Sequence, residues 1–424
     1  MSQTVYSKGI LHGLPTFPEH DNKKYSIIVT GANGISGSAM LKVLSENPGR
    51  WDKIYAMSRR PPTYEDNPHI IPIAVDFLDS TPSQIAKVFK DHDVQADYAY
   101  FASYIQPPPL EGKGLWSDTE AMTSTNLALL QNFLSALDLV KIVPKRTLLQ
   151  LGGKFYGIHL GPTASPQDES DPRHGIESNF YFPQMDLLHA WTANHNTEYV
   201  ETIPGFILGT THTAAMNIVY PIAVYAAIQA HLKQPLNFPA DIPAWLAEKH
   251  QSTASLMCYH AEWALLSPKT ANQALNHSDG GSFAWGKFWP ILASWYGTSA
   301  GRPATDPSAY QTITMPFDTS PLGFGGPGVI HASFSFLEWS KTAEVKEAWE
   351  ELVAKYGLTD SPFGDKAQDT FGLIDGEILG GWTRVLNMNK SRKLGWNGFV
   401  DTVEGTREVI EEMVGMKLVP PMRD

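Results

Sequence analysis

The sequence is poor in cysteine, in positive charge and in long apolar runs. Cys258 is the single cysteine among 424 residues, so no disulfide can form within the chain. The formal net charge of -12 argues against nucleic acid or an anionic membrane as the main partner, because both require a basic surface. The longest apolar run, residues 218–228, is too short to span a bilayer. We therefore expect a soluble, cytoplasmic protein.

The spacing of the potential metal ligands in the sequence does not indicate a metal site. Cys258, His260 and Glu262 are the closest set of ligand-type residues, but they are spaced two apart. On a helix this spacing directs side chains to different faces. We expect no bound metal.

A glycine-rich turn stands near the start of the chain. The segment Thr30-Gly31-Ala32-Asn33-Gly34-Ile35-Ser36-Gly37 follows an apolar run and precedes a helix-patterned stretch. A strand, such a turn and a helix N-terminus together bind the pyrophosphate of a dinucleotide, although three glycines in eight residues also occur in ordinary turns. The predicted cofactor contacts in this turn are Thr30, Gly31, Asn33, Gly34, Ile35 and Gly37.

The next strand-like run ends in Ser58, Arg59 and Arg60. Cofactors without a 2′-phosphate usually meet an Asp or Glu at this place. A hydroxyl followed by two guanidiniums suits a phosphate dianion, so the sequence predicts NADPH or NADP+. The alternative is a pair of solvated arginines on a loop.

Strand-like and helix-patterned segments alternate over the first half of the chain, as in parallel βαβ units. We predict an α/β fold with a Rossmann-type doubly wound parallel sheet, in an NADP(H)-binding domain of residues 22–211. Two helices are predicted at 82–91 and 119–139. The six predicted strands are residues 26–30, 53–57, 70–75, 98–102, 146–151 and 199–203.

The second half is helical and aromatic. We predict that residues 212–424 form a smaller, mainly helical substrate domain, which could return strands or helices to the first. Its closely spaced tryptophans suit a core or a pocket for an apolar substrate; they are Trp245, Trp263, Trp285, Trp289 and Trp295. The glycine-rich stretch 323–328 lacks a phosphate-loop ending and is interpreted as a surface segment and candidate lid.

Two later segments carry a family resemblance. None of the 16 tyrosines has a lysine four residues after it, but Lys154 precedes Tyr156 in a Gly-x-Lys-x-Tyr segment and Tyr181 lies in an Asn-Phe-Tyr segment. This pattern resembles the progesterone 5β-reductase/iridoid synthase-like (PRISE-like) group of the extended short-chain dehydrogenase/reductase superfamily. The resemblance continues through later blocks at residues 204–209, 216–227, 276–289 and 388–391.

The resemblance implies NADPH-dependent reduction of a C=C bond conjugated to a carbonyl, in a bulky apolar small molecule. Tyr181 would stabilise and protonate the enolate, while Lys154 would support it and hold the nicotinamide ribose. The resemblance also suggests a homodimer. The further cofactor contacts that it implies are Asp76, Ala102 and Ser103 near the nucleotide, and Pro204 and Ile207 near the nicotinamide.

The chain departs from the group at Leu151, where a Thr is usual, and at Ile203, where an Arg is usual. A polar contact beside the reactive ring is therefore missing. Two alternatives stay open. One is a redox-neutral isomerase or cyclase that uses the same Lys154 and Tyr181 pair, and the other is a regulator that senses NADP(H) without catalysis.

Overall fold

The computed structural model describes residues 4–17, 24–62, 67–111, 113–211 and 216–423. The ends predicted for the two domains at residues 22, 212 and 424 lie outside these ranges. The strands are β1 (Val5–Lys8), β2 (Leu11–Pro15), β3 (Tyr25–Thr30), β4 (Trp51–Ser58), β5 (Ile70–Ala74), β6 (Tyr98–Phe101), β7 (Arg146–Gln150), β8 (Glu198–Pro204), β9 (Phe206–Leu208), β10 (Gln251–Thr253), β11 (Gln273–His277), β12 (Gln311–Thr314) and β13 (Val329–Ala332). The helices are α1 (Ile35–Ser45), α2 (Pro82–Asp91), α3 (Thr119–Val140), α4 (Tyr181–His195), α5 (Val219–His231), α6 (Ile242–Leu246), α7 (Ala254–Leu266), α8 (Trp285–Trp295), α9 (Phe336–Trp339), α10 (Ala343–Tyr356), α11 (Ala367–Ile378), α12 (Asn389–Leu394) and α13 (Thr402–Gly415).

A seven-stranded parallel sheet forms the centre of the first half. Its order is β11-β8-β7-β6-β3-β4-β5, so the chain winds outward in both directions from β3. Every pair in this sheet is parallel. This arrangement confirms the predicted doubly wound fold. The helices predicted at 82–91 and 119–139 are α2 and α3.

Both faces of the sheet are covered, because successive side chains of a strand point to opposite sides. Ile27 and Val29 of β3 pack into a core shared with α1 and α7, whereas Ile28 packs into a core shared with α2, α3 and α4. The start of α2 is fixed by a capping box, in which Thr81 Oγ1 accepts from Gln84 N and the Gln84 side chain accepts from Thr81 N.

The prediction of six strands was wrong, because β11 joins the sheet beside β8 as its seventh strand. The sequence of β11 is Gln-Ala-Leu-Asn-His, which lacks the apolar alternation of a strand. Asn276 and His277 are nevertheless fully buried, and the Asn276 side chain is hydrogen-bonded. Asn276 Oδ1 accepts from the Tyr156 hydroxyl, and Asn276 Nδ2 donates to the carbonyl of Gln167 at 3.1 Å.

The remaining helices build a separate core around α5, α8, α10, α11 and α13. Trp285 and Trp289 are fully buried in it, and Trp245 and Trp295 pack against it. Trp263 belongs to α7 and packs on the sheet. The tryptophans therefore serve mainly as core. Among the described helices, none combines the length and the apolar character needed to cross a bilayer.

The three residues considered as metal ligands have separate partners. Cys258 Sγ lies 3.4 Å from the Ser36 carbonyl, and Glu262 accepts from Arg50 and from Trp51 Nε1, both at 2.8 Å. His260 packs against Trp396. Within the described ranges, no group of three or more His, Cys, Asp or Glu side chains is arranged to hold a metal ion.

Candidate active site

The site begins where the sheet reverses its winding, between β3 and β6. In doubly wound folds the crevice at the carboxyl ends of these two strands is where ligands bind. Gly31 makes the tight turn after β3 with φ +66°, and a Cβ at this position would lie 2.7 Å from the Ala102 carbonyl oxygen. Because only glycine tolerates both that φ and that approach, the turn can pass directly over the end of β6.

A cavity of about 530 Å³ opens from this crevice. It runs from the glycine turn, past the ends of β4 and β7, to the start of α4 and to α11. Its lining includes most of the predicted site residues: Gly31, Asn33, Gly34, Ile35, Gly37, Ser58, Arg59, Arg60, Asp76, Ala102, Ser103, Lys154, Tyr181 and Ile207.

Thr30 and Pro204 are not brought to the cavity surface. Thr30 is fully buried, and its Oγ1 accepts from the N–H groups of Ala102 and Ser103 at 3.1 and 3.2 Å. Pro204 is buried at the end of β8, paired with His277 of β11. Thr30 therefore ties the glycine turn to β6, while Gly205, Phe206 and Ile207 form the wall beside Pro204.

The nucleotide end of the cavity has the features that a dinucleotide needs. Gly34 caps α1 without a side-chain hydrogen bond, so the first N–H groups of this helix are available to an anion. Arg59 and Arg60 are exposed at the rim, and the Asn33 side chain holds the loop by donating to the Arg60 carbonyl at 2.7 Å. Asp76 Oδ1 accepts from the N–H groups of Leu78 and Asp79. The residues present fit a nicotinamide dinucleotide.

Lys154 lies in a short 3-10 turn, Gly153–Tyr156, soon after β7 ends. Its Nζ sits 3.2 Å from the centroid of the Trp116 ring, and no hydrogen bond or ion pair of Nζ occurs within the described residues. Burial lowers the pKa of Lys154 well below its usual range, and the nearby Glu177 carboxylate opposes this shift. The ammonium is thus held in a poorly solvated place where it can interact strongly with a ligand.

Tyr181 is the first residue of α4, and Asn179 fixes its position relative to Lys154. Asn179 Oδ1 accepts from Tyr181 N at 3.1 Å, while Asn179 Nδ2 donates to the Lys154 carbonyl at 2.8 Å. Burial raises the pKa of Tyr181, and Tyr104 adds to the increase, so the phenol is protonated at neutral pH. In the described part of the chain its hydroxyl has no hydrogen-bond partner, which leaves it free to donate to a ligand.

Several lining residues were missed by the sequence analysis. Trp116, Tyr104 and Gln106 come from the loop between β6 and α3, Gln184 from the first turn of α4, and Asp369 from α11. The aromatic residues of this loop were the available signal. The residues around Asp369 in the sequence do not indicate a site, because Asp369 reaches the cavity only through the packing of α11.

Replacing Gly152 by alanine is expected to reduce turnover while leaving cofactor affinity intact. The new Cβ would lie 2.8 Å from the Tyr181 hydroxyl oxygen, so the phenol has to move. A displacement of about 1 Å at a reacting group costs on the order of a hundredfold in rate. Steady-state kinetics with a cofactor-binding titration checks this. Gly175→Ala is the control, since a Cβ there meets nothing within 4 Å.

The chain is similar to a known family over most of its length. The family model described as the PRISE-like Rossmann-fold domain matches residues 27–316. The short chain dehydrogenase gsfE of Penicillium aethiopicum is 30% identical over 402 residues, which cover 92% of this chain and 98% of that protein. The 3-oxo-Delta(4,5)-steroid 5-beta-reductase of Arabidopsis thaliana is 27% identical over 415 residues, covering 93% and 92%.

Solved structures agree on the fold. The UDP-glucose 4-epimerase of Thermus thermophilus, determined in complex with NAD, superposes with a TM-score of 0.58 at 13% identity and covers 92% of this chain and 99% of its own. At that identity the likeness concerns the fold alone. The family match over residues 27–316 and the 30% identity to gsfE show that the chain belongs to the PRISE-like family of the extended short-chain dehydrogenase/reductase superfamily.

Proposed function

We propose that the protein is an NADPH-dependent reductase of C=C bonds conjugated to a carbonyl, acting on a bulky apolar small molecule. The observation that carries this proposal is the placement of the Tyr181 hydroxyl. It is protonated, has no partner in the described part of the chain, and lines the same cavity as the glycine turn and Lys154. The relative named as a steroid 5-beta-reductase supports the same reaction class.

When bound, NADPH would supply a hydride for the carbon β to the carbonyl. The task of the protein is then to accommodate negative charge on the carbonyl oxygen. The Tyr181 hydroxyl donates a hydrogen bond to that oxygen, and the raised pKa keeps its proton in place until the charge develops. The Lys154 ammonium stabilises the same charge and binds ribose hydroxyls. Apolar residues that include Phe180, Phe206 and Met216 line the cavity and favour an apolar substrate.

Removing both rim guanidiniums is expected to abolish a preference for NADPH over NADH. Charge-assisted hydrogen bonds contribute about 1.5–3 kcal/mol each, so Arg59→Ala with Arg60→Ala should weaken NADPH binding by about a hundredfold or more. NADH binding should change little. Fluorescence titrations with both cofactors measure this. Arg407→Ala, on the exposed face of α13, is the control. Equal loss of both cofactors would contradict a 2′-phosphate contact.

The reaction itself is tested by following NADPH oxidation with a panel of α,β-unsaturated aldehydes and ketones, together with analysis of the products. Consumption of NADPH in proportion to saturated product supports the reductase. Product formed without net consumption of NADPH would contradict the reductase and favour an isomerase or cyclase. A protein that binds NADPH tightly but converts no member of the panel would favour the sensing role.

A further inference from the structure

The cavity contains two chemically different sets of polar groups. At one place Tyr181 and Lys154 present hydrogen-bond donors that are free for a ligand. Further along the wall, Asp369 presents a carboxylate, which accepts. The two sets do not satisfy each other, because no hydrogen bond or ion pair joins them within the described residues. A ligand that fills the cavity has to satisfy both.

Asp369 is the only acid on the cavity wall outside the nucleotide end, among the described residues. It lies in the first turn of α11, where the helix dipole favours a carboxylate. Its side chain is partly buried, and in the described part of the chain it accepts no hydrogen bond and forms no ion pair. An ionised carboxylate can only accept hydrogen bonds, and a ligand that displaces its water without donating to it would bind at a cost.

Tyr104 interacts electrostatically with both Asp369 and Tyr181. Burial raises the pKa of Tyr104, the neighbouring Trp116 indole lowers it and the Asp369 charge raises it, while Tyr104 in turn contributes to the raised pKa of Tyr181. The Tyr104 hydroxyl donates its proton to Gln106 Oε1 at 2.6 Å, and Gln106 Nε2 is engaged by the Pro107 carbonyl at 2.9 Å. The Tyr104 proton is therefore engaged within the cavity wall and does not satisfy the Asp369 carboxylate.

We propose that Asp369 binds a hydroxyl group that the substrate carries at a distance from its reacting carbonyl. This inference rests on the proposed function, which places the carbonyl at Tyr181. It narrows the substrate class from an apolar enone to a hydroxylated enone. An ammonium group would also suit Asp369 locally, but Lys154 lines the same cavity and its positive charge disfavours a cationic ligand there.

Binding of unreactive probes tests the subsite without any turnover. A series of saturated ω-hydroxy ketones of increasing chain length, each with its methyl ether, is titrated into the NADP+-loaded protein, and tryptophan fluorescence is recorded because Trp116 lines the cavity. One buried hydrogen bond to a charged group corresponds to roughly a tenfold or greater difference in affinity. At one chain length the wild-type protein should therefore prefer the alcohol to the ether by about that factor.

Variants assign the preference to Asp369. Asp369→Leu should abolish it, whereas Asp369→Asn should keep part of it, since the amide oxygen still accepts. Asp365→Leu is the matched control, because Asp365 is exposed just before α11 and does not line the cavity. Equal affinity for alcohol and ether throughout the series, or a preference that survives in a folded Asp369→Leu protein, would overturn the proposal.

The same compounds in their unsaturated forms separate this proposal from the reductase function. If the hydroxylated enones and their methyl ethers are reduced with equal kcat/KM, the reductase function is supported and the hydroxyl subsite is contradicted. If the saturated alcohols bind selectively but no enone causes NADPH oxidation, the hydroxyl subsite is supported and the reductase function is contradicted.

Discussion

Tyr181→Phe is expected to lower kcat for enone reduction by about a hundredfold or more, with little change in NADPH affinity. The substitution removes the hydroxyl that we propose donates to the carbonyl oxygen, and loss of a comparable oxyanion donor costs about 10²–10³ in kcat. The ring itself stays, so packing against Phe180 is preserved. Initial rates of NADPH oxidation measure the effect.

Tyr296→Phe is the matched control for that substitution. The Tyr296 hydroxyl is also buried, yet it lies in the helical core away from the cavity and has no hydrogen-bond partner in the described part of the chain. Its removal should leave kcat unchanged. A Tyr181→Phe enzyme as active as this control would show that Tyr181 does not stabilise the enolate.

Lys154→Met should change activity and stability in opposite directions. The rate should fall by roughly a hundredfold, because the ammonium that stabilises the developing charge is lost. Stability at neutral and lower pH should increase, because the lowered pKa of Lys154 means that folding disfavours its charged form. Methionine fills similar space beside Trp116 without that penalty.

The pH dependence follows from the same shift. Between the folded and the unfolded pKa of Lys154 the unfolded chain binds more protons, so the free energy of unfolding of the wild-type protein rises with pH across that interval. The advantage of Lys154→Met should therefore shrink as pH increases. Thermal unfolding at mildly acidic and alkaline pH measures this, with the exposed Lys346→Met as control. A variant less stable than wild type at every pH would contradict the buried charge.

The features that can be predicted from the sequence are those that depend on local motifs. The glycine turn, α2 with its capping box, and the Lys154 and Tyr181 segments each depend on neighbouring residues, and the structure brings the site residues among them to one cavity. Thr30 shows the limit of such motifs. It belongs to the glycine motif, but its hydroxyl binds the backbone of β6 instead of facing the cavity.

Long-range packing decides what the sequence does not predict. The strand β11 is polar, and its burial depends on partners such as Tyr156 and Gln167, more than 100 positions away. Asp369 reaches the cavity only because α11 packs near Tyr104, and Trp116 covers Lys154 from a loop without a regular pattern. Residue spacing carries no information about these contacts.

α7 and β11 belong to the C-terminal half of the chain but pack on the sheet of the N-terminal half. This packing limits which segments could be exchanged between relatives. If the chain ended after residue 211, β8 would become a bare sheet edge and α1 would lose the helix that packs on it. A recombination event that swapped the C-terminal half as a block would therefore also replace a strand and a helix of the cofactor-binding half. We therefore expect chimaeras that exchange single cavity loops with a relative to fold more readily than chimaeras that exchange the whole C-terminal half.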